Sequence, residues 1–147
     1  MDCSAILYYL SYFDEWAGLP RGTLKAIAQK ESSFNPADCS FRNVCNWVGA
    51  CGLMQLRKNA LADIKRVYGI DLDPLNPIHA IVGAAALFNI NRQYLMHFTG
   101  QEPDVWALIV SYNGGYQAGL RYMRFQPLVA ESKNYLFSVY NNLNPYA

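Results

Sequence analysis

Apolar residues at Ala5, Tyr8, Tyr9, Tyr12, Phe13 and Trp16 recur three and four positions apart, which predicts an amphipathic helix closed by Gly18-Leu19-Pro20. Leu24, Ile27, Ala28, Glu31 and Phe34 continue with the same period, and this second stripe sets a carboxylate on the face that faces the core. The pattern dissolves between Pro36 and Ala50 into Asp, Cys, Ser, Arg, Asn and Trp, a loop of about 15 residues whose length alone suggests function. Ala60, Leu61, Ile64, Val67 and Tyr68 restore helical spacing up to Gly69, and Asp73-Pro74 with Asn76-Pro77 marks a turn. From Ile78 to about Met96 the first half is apolar almost all round, which predicts a central helix wrapped by the others. Val105, Leu108, Ile109 and Tyr112 stripe a helix that stops at Asn113-Gly114-Gly115. Shorter helices are expected over Tyr116–Met123 and Ser132–Leu143.

No segment alternates with period two, and no repeat or low-complexity linker interrupts the chain, so the predicted class is all-α. At 147 residues and 52% hydrophobic, the chain is read as one domain over 1–147 with a sizeable core. A net charge of +1, with no Lys/Arg cluster, supplies no field for a phosphate backbone and argues against a nucleic-acid partner. The 11 tyrosines suit either a core or the flat, hydroxyl-tipped walls that accept sugar rings.

Asp2, and the lack of Lys or Arg before Arg21, give the N-terminus no signal-like positive region, so it is read as the first helix of the domain. The run Ala80–Phe88 is far short of the roughly 18 residues that span a bilayer, and no membrane segment is expected. Cys3, Cys39, Cys45 and Cys51 can pair in three ways and match no zinc or redox spacing. They are read as mainly reduced, packed thiols, with a local Cys39–Cys45 or Cys45–Cys51 bridge as the alternative. His79 and His97 lack partner ligands, so neither a metal nor a cofactor is implied.

Glu31 is the residue with chemistry to explain. Desolvation on an apolar face, with Phe34 nearby, disfavours the ionised form and suits a group that must deliver a proton near neutral pH. The competing reading is a Glu at a helix end that points to solvent or pairs with Lys30 or Arg21.

Three segments change that balance: Glu31-Ser32-Ser33-Phe34-Asn35-Pro36, Gly49-Ala50-Cys51-Gly52-Leu53-Met54-Gln55-Leu56 and Ser111-Tyr112-Asn113-Gly114-Gly115. In this order they resemble the soluble lytic transglycosylase family, with its E-S-x-F/W-N-P, G-L-M-Q and A-Y-N-x-G segments. Leu75-Asn76-Pro77 with Ala80 and Gly83-Ala84-Ala85 looks like the family's N-x-x-A-G helix start. Glu131-Ser132-Lys133-Asn134-Tyr135 is similar to its E-T-x-x-Y-V close, so the resemblance runs from about Leu19 to Val139, nearly the whole chain.

The resemblance implies a goose-lysozyme-like helical fold and a peptidoglycan substrate. Glu31 would protonate the oxygen between N-acetylmuramic acid and N-acetylglucosamine, then take a proton from the sugar's own C6 hydroxyl as it closes a 1,6-anhydro ring. The substrate's acetamido group steadies the charge at C1, so one acid replaces the pair that hydrolases set about 5 to 9.5 Å apart. Gln55 is expected to offer its amide to sugar hydroxyls or the acetamido group, with Met54 as an apolar floor, while Leu53 and Leu56 are read as core. Tyr112 matches the tyrosine near the catalytic acid, although a Tyr on an apolar stripe also suits a core. Asn113 matches the asparagine that braces the loop or touches the ligand. Ser32 is expected to hold the helix end through a local hydrogen bond. Glu131 and Tyr135 match a pair lining the glycan cleft, with a solvated Glu at a helix start as the blander account, and Trp47 stacks on a sugar or pins its loop.

The chain departs from the family in having Cys51 before the glycine and Arg57-Lys58-Asn59 after the motif, and in a longer loop bearing Cys39, Cys45 and Trp47. Two rivals stand beside the transglycosylase: a hydrolytic muramidase with Asp38 or another loop acid activating water, and a virion or secretion module that binds glycan without cutting. Action in the periplasm or cell wall is expected. With no leader seen, the source is read as a phage lysis or tail machine, or as a domain of a larger envelope protein.

Overall fold

In the computed structural model, which describes residues 2–143, the chain folds as α1 (Cys3–Trp16), α2 (Thr23–Ser32), α3 (Lys58–Tyr68), α4 (Pro77–Thr99), α5 (Val105–Gly114), α6 (Tyr116–Met123) and α7 (Ala130–Leu143). The all-α expectation is borne out; among the described residues extended pairing is limited to isolated bridges between residues 35 and 56. Two compact units divide the chain, one ending at Ala86 and the other starting at Leu87, with the boundary inside α4. No helix among the described residues is long and apolar enough to cross a membrane.

Short polar side chains start the helices. Asp2 accepts from the Ser4 backbone N–H at 3.2 Å to begin α1, and Asn76 accepts from Ile78 and His79 at 3.0 and 3.2 Å to begin α4. Asp104 accepts from Ala107 at 2.9 Å to begin α5. Each satisfies backbone donors that the first turn leaves without an intrahelical partner. Gly69, at φ 72°, closes α3 in the left-handed conformation that side chains with a Cβ resist.

In the first unit α1 packs on α2. Ile6 and Leu10 of α1, Leu24 and Ile27 of α2, and Leu53, Leu56, Ile64 and Ile81 are all buried. Fully burying one Leu or Ile stabilises the fold by about 1.5–3 kcal/mol, so this group accounts for the unit's core. In the second unit α5 packs on α6 and α7. Gly119 permits the close approach of α6 to α5, since a Cβ there would collide with the Ser111 hydroxyl.

The second stripe ends earlier than its period predicts. Ser33 turns into the left-handed region at φ 58°, and Phe34, although buried, leaves the helix. Pro36 disfavours a helical Asn35, whose side chain instead accepts from Ala37 N at 3.0 Å.

The cysteines correct a second expectation. They are not thiols: Cys3 is bonded to Cys39 and Cys45 to Cys51. The local 45–51 bridge was one of the alternatives, whereas the Cys3–Cys39 bond joins residues 36 positions apart and ties the segment after α2 to the start of α1. Sequence spacing carries no trace of that bond.

Asp14 is the buried charge of this unit. From the last turn of α1 its carboxylate accepts from Gly22 N at 2.8 Å and Leu24 N at 2.9 Å, holding the start of α2. Burial pushes its carboxyl up to about 6 from 3.8, against the downward pull of those two N–H groups, Lys25 and Arg21. The unfolded chain therefore releases this proton first as pH rises, and the folded state loses ground between about pH 4 and 6, by at most about 1.4 kcal/mol per pH unit. Denaturant unfolding of wild type and Asp14→Asn at several pH values should show wild type losing stability relative to the variant across that window. A difference that stays flat with pH contradicts it.

Candidate functional site

Glu31 is the penultimate residue of α2, half-buried, at the point where the helix gives way to the long non-helical stretch before α3. Ser32 next to it is a junction. Its hydroxyl donates to Leu53 O at 2.8 Å and lies 3.2 Å from Ala28 O within its own helix, while its carbonyl accepts from Arg42 N at 2.8 Å. The local bond expected of Ser32 is present, and the two long-range bonds tie both limbs of the loop to the residue after Glu31.

The Gly49–Leu56 segment is the one bonded to this helix end through Leu53 O. Gly52, at φ 79°, comes so close to the Pro74 carbonyl that any Cβ would collide with it, so only glycine closes this turn. Gly52→Ala should therefore cost about 2–4 kcal/mol of stability and disturb Gln55 with it. Urea unfolding measures this, and a loss under about 1 kcal/mol would mean that the 52–74 approach yields easily.

Leu53 and Leu56 are buried, as their core reading has it, and Met54 is fully buried beneath the segment. Gln55 stands at φ 50°, and its amide nitrogen donates to Val44 O at 3.0 Å and Gly52 O at 2.9 Å. Both of its N–H donors are thus taken by loop carbonyls, which leaves the amide carbonyl as the half that faces other chemistry.

Trp47 is 96% exposed at the loop tip. Asp38 accepts from Ser40 N at 2.9 Å and Ser40 Oγ at 2.8 Å; these bonds hold its carboxyl below the usual range and weaken it as a base for water.

The second unit gathers the other expected residues. Tyr112 stacks on Phe88 with ring centroids 5.2 Å apart and 20° between planes, and Asn113 follows it at the end of α5, both half-buried. Glu131 is exposed in the first turn of α7, where a negative charge suits the helix dipole. Tyr135, one turn on, is only 3% exposed, so little of it is open to any ligand. The end of α5 meets the start of α7 at Gly114, where an added Cβ would lie 3.2 Å from Ser132 Oγ. His79 Nδ1 accepts from Asp73 N at 3.0 Å, and no group of three potential metal-binding side chains occurs among the described residues.

Sequence reasoning missed two supports. Asn46 accepts from Val48 N and Ala50 N at 3.1 and 3.0 Å, and Asp14 holds the far end of the helix that carries Glu31. The Asn at the head of a Trp-Val-Gly turn signalled the first. Asp14 lies off the aromatic stripe of α1, on the face with Ile6 and Leu10 that the structure buries, and so gave no signal.

A family model described as "Transglycosylase SLT domain" matches residues 13–134. The chain is 29% identical over 137 residues to the membrane-bound lytic murein transglycosylase C of Mannheimia succiniciproducens, covering 87% of this chain and 34% of that protein. It is 31% identical over 137 residues to the protein of that name from Yersinia enterocolitica, with the same coverage. The protein of that name from Histophilus somni is 33% identical over 111 residues, 71% of this chain and 29% of its own length. The chain thus spans about a third of the length of these relatives.

Proposed function

We propose, from the premise that the chain belongs to the transglycosylase SLT domain family, that it is a single catalytic domain that cleaves peptidoglycan glycan strands by lytic transglycosylation, with Glu31 as the acid and base. The observation that carries this reading is the Ser32 junction: the helix end bearing Glu31 is bonded at 2.8 Å to the turn that leads into Gln55. A carboxyl group and an amide carbonyl are thereby held on one rigid frame, the arrangement that positioning a reacting group requires.

Glu31 gives its proton to the oxygen between N-acetylmuramic acid and N-acetylglucosamine as the C1–O bond breaks. The resulting carboxylate takes the proton of the C6 hydroxyl, whose oxygen bonds to C1 and closes the 1,6-anhydro ring. The acetamido group of the substrate steadies the charge at C1 meanwhile, so no second protein carboxylate takes part. Gln55, with its N–H groups occupied, accepts a hydrogen bond from a sugar hydroxyl or the acetamido N–H, while Met54, expected as an apolar floor, is fully buried and packs behind the segment. Tyr112, Asn113 and Glu131 keep the glycan-contacting roles their motifs imply, and Tyr135, buried, mainly packs.

The relatives' printed names place their activity on murein, and we assign the same cell-wall substrate here. Two disulfides suit an oxidising compartment, which favours action outside the cytoplasm, in the periplasm or at the wall.

Mass spectrometry of the fragments released from purified cell walls tests the reaction. Transglycosylation gives muropeptides lighter by one water and without a reducing end. Products of full hydrated mass would assign the chain to hydrolysis, and a protein that binds walls and releases nothing would be a glycan-binding module.

A further inference from the structure

The loop that departs most from the family pattern is also the most heavily braced. Cys45 and Cys51 are bonded across it, Asn46 N donates to Ala50 O at 2.9 Å, and Gly49 N donates to Asn46 O at 3.0 Å. The Asn46 side chain accepts from two further backbone donors inside the loop. At the base, Gly52 N and Gln55 Nε2 both donate to Val44 O, at 3.1 and 3.0 Å. All this order serves a tip on which Trp47 is 96% exposed and Val48 41%.

The braced backbone fixes where the Trp47 ring projects, so the ordering of the loop is already met before a ligand arrives, which favours binding. The chemistry of the loop selects the ligand class. From Asn43 to Gln55 there is no Asp, Glu, Lys or Arg, so nothing in it recognises a phosphate or a charged peptide. An indole plate among amides and backbone carbonyls fits the C–H face and hydroxyl rim of a pyranose. Both limbs are bonded to Ser32, so the arm is rooted beside Glu31.

Resting on the transglycosylase reading, we infer that the Cys45–Cys51 loop is a sugar-binding arm that takes an uncharged pyranose of the glycan strand outside the bond being cut. Trp47 is its stacking platform and Asn46 its positioning residue. The arm acts on strand affinity and leaves the chemical step to Glu31.

Steady-state release of anhydro-muropeptides from soluble, uncrosslinked glycan chains tests this with Trp47→Ala, Trp47→Phe, Asn46→Ala and Asn46→Asp. Trp47→Ala should raise KM about tenfold, the size of one strong aromatic contact, with kcat within about twofold of wild type. Trp47→Phe should recover most of that loss. Asn46→Ala should raise KM in the same direction, and Asn46→Asp, which keeps the acceptor, should match wild type. Because Trp47 lies in solvent, its variants should fold with the wild-type thermal midpoint. An unchanged KM in Trp47→Ala, or a fall confined to kcat, overturns the arm. If wild type itself forms no anhydro product, the reaction assigned above is wrong, and retention on whole sacculi decides the arm alone: weaker retention of Trp47→Ala supports it, and equal retention overturns it.

Discussion

Glu31→Gln should lower the release of anhydro-muropeptides from purified walls by about 10²–10⁴-fold or more, the span that general acid–base catalysis supplies. The amide keeps the volume and the hydrogen-bonding reach of the carboxyl and loses the transferable proton. Glu31 is asked to act twice, as acid toward the leaving oxygen and as base toward the C6 hydroxyl, so one substitution removes both steps. The fold should survive. Glu31 sits in the last turn of α2, at the negative end of the helix dipole, where a neutral side chain of the same shape is tolerated at least as well as a carboxylate. The measurement pairs wall clearing with thermal unfolding. Undiminished clearing with a folded variant would take Glu31 out of the reaction, and a collapsed midpoint would make it a structural residue.

Much of the helical plan was legible in periods and stops, but the face of α1 was not: Tyr8, Tyr12 and Trp16 of its aromatic stripe are exposed, and the face carrying Ile6, Leu10 and Asp14 is the buried one. Gly69 ends α3 where the apolar stripe ends, and Tyr116–Met123 coincides with α6, which Gly115 and Arg124 flank. The long apolar segment read as a central helix is α4, whose Ala80, Ile81, Ala84, Phe88 and Leu95 are fully buried. The end of α2 was less legible: apolar spacing runs on to Phe34, while backbone chemistry at Ser33 and before Pro36 turns the chain earlier. The candidate site shows the same divide. Glu31 stood out by its position on a stripe, and Gln55 through a local motif. What Gln55 does with its amide depends on Val44, eleven positions away along a loop whose course no periodicity encodes. Asp14 sat unnoticed for that reason too, since its partners at Gly22 and Leu24 lie across a turn.

The Cys3–Cys39 disulfide is the largest feature that pattern failed to reveal, and removing the disulfides should have the largest effect on stability. A cross-link restricts the unfolded chain according to the loop it closes. The Cys3–Cys39 bond has a sequence separation of 36 and Cys45–Cys51 one of 6. Loop-closure entropy then assigns about 4 kcal/mol to the first and about 2 kcal/mol to the second. Cys3→Ser/Cys39→Ser should therefore lower the thermal midpoint by on the order of 10 °C, and Cys45→Ser/Cys51→Ser by about half as much. The longer bond also fastens α1 to the loop beyond α2, so its loss should loosen the helix end that carries Glu31 as well as destabilise the core. The shorter bond fastens only the Trp47 loop, and its loss should register mainly in glycan affinity. Scanning calorimetry of both double variants, oxidised and in excess dithiothreitol, separates the contributions, because each variant retains one reducible bond. An equal or reversed order of midpoints would show that the native bonds act through strain or packing and not through the length of chain they close.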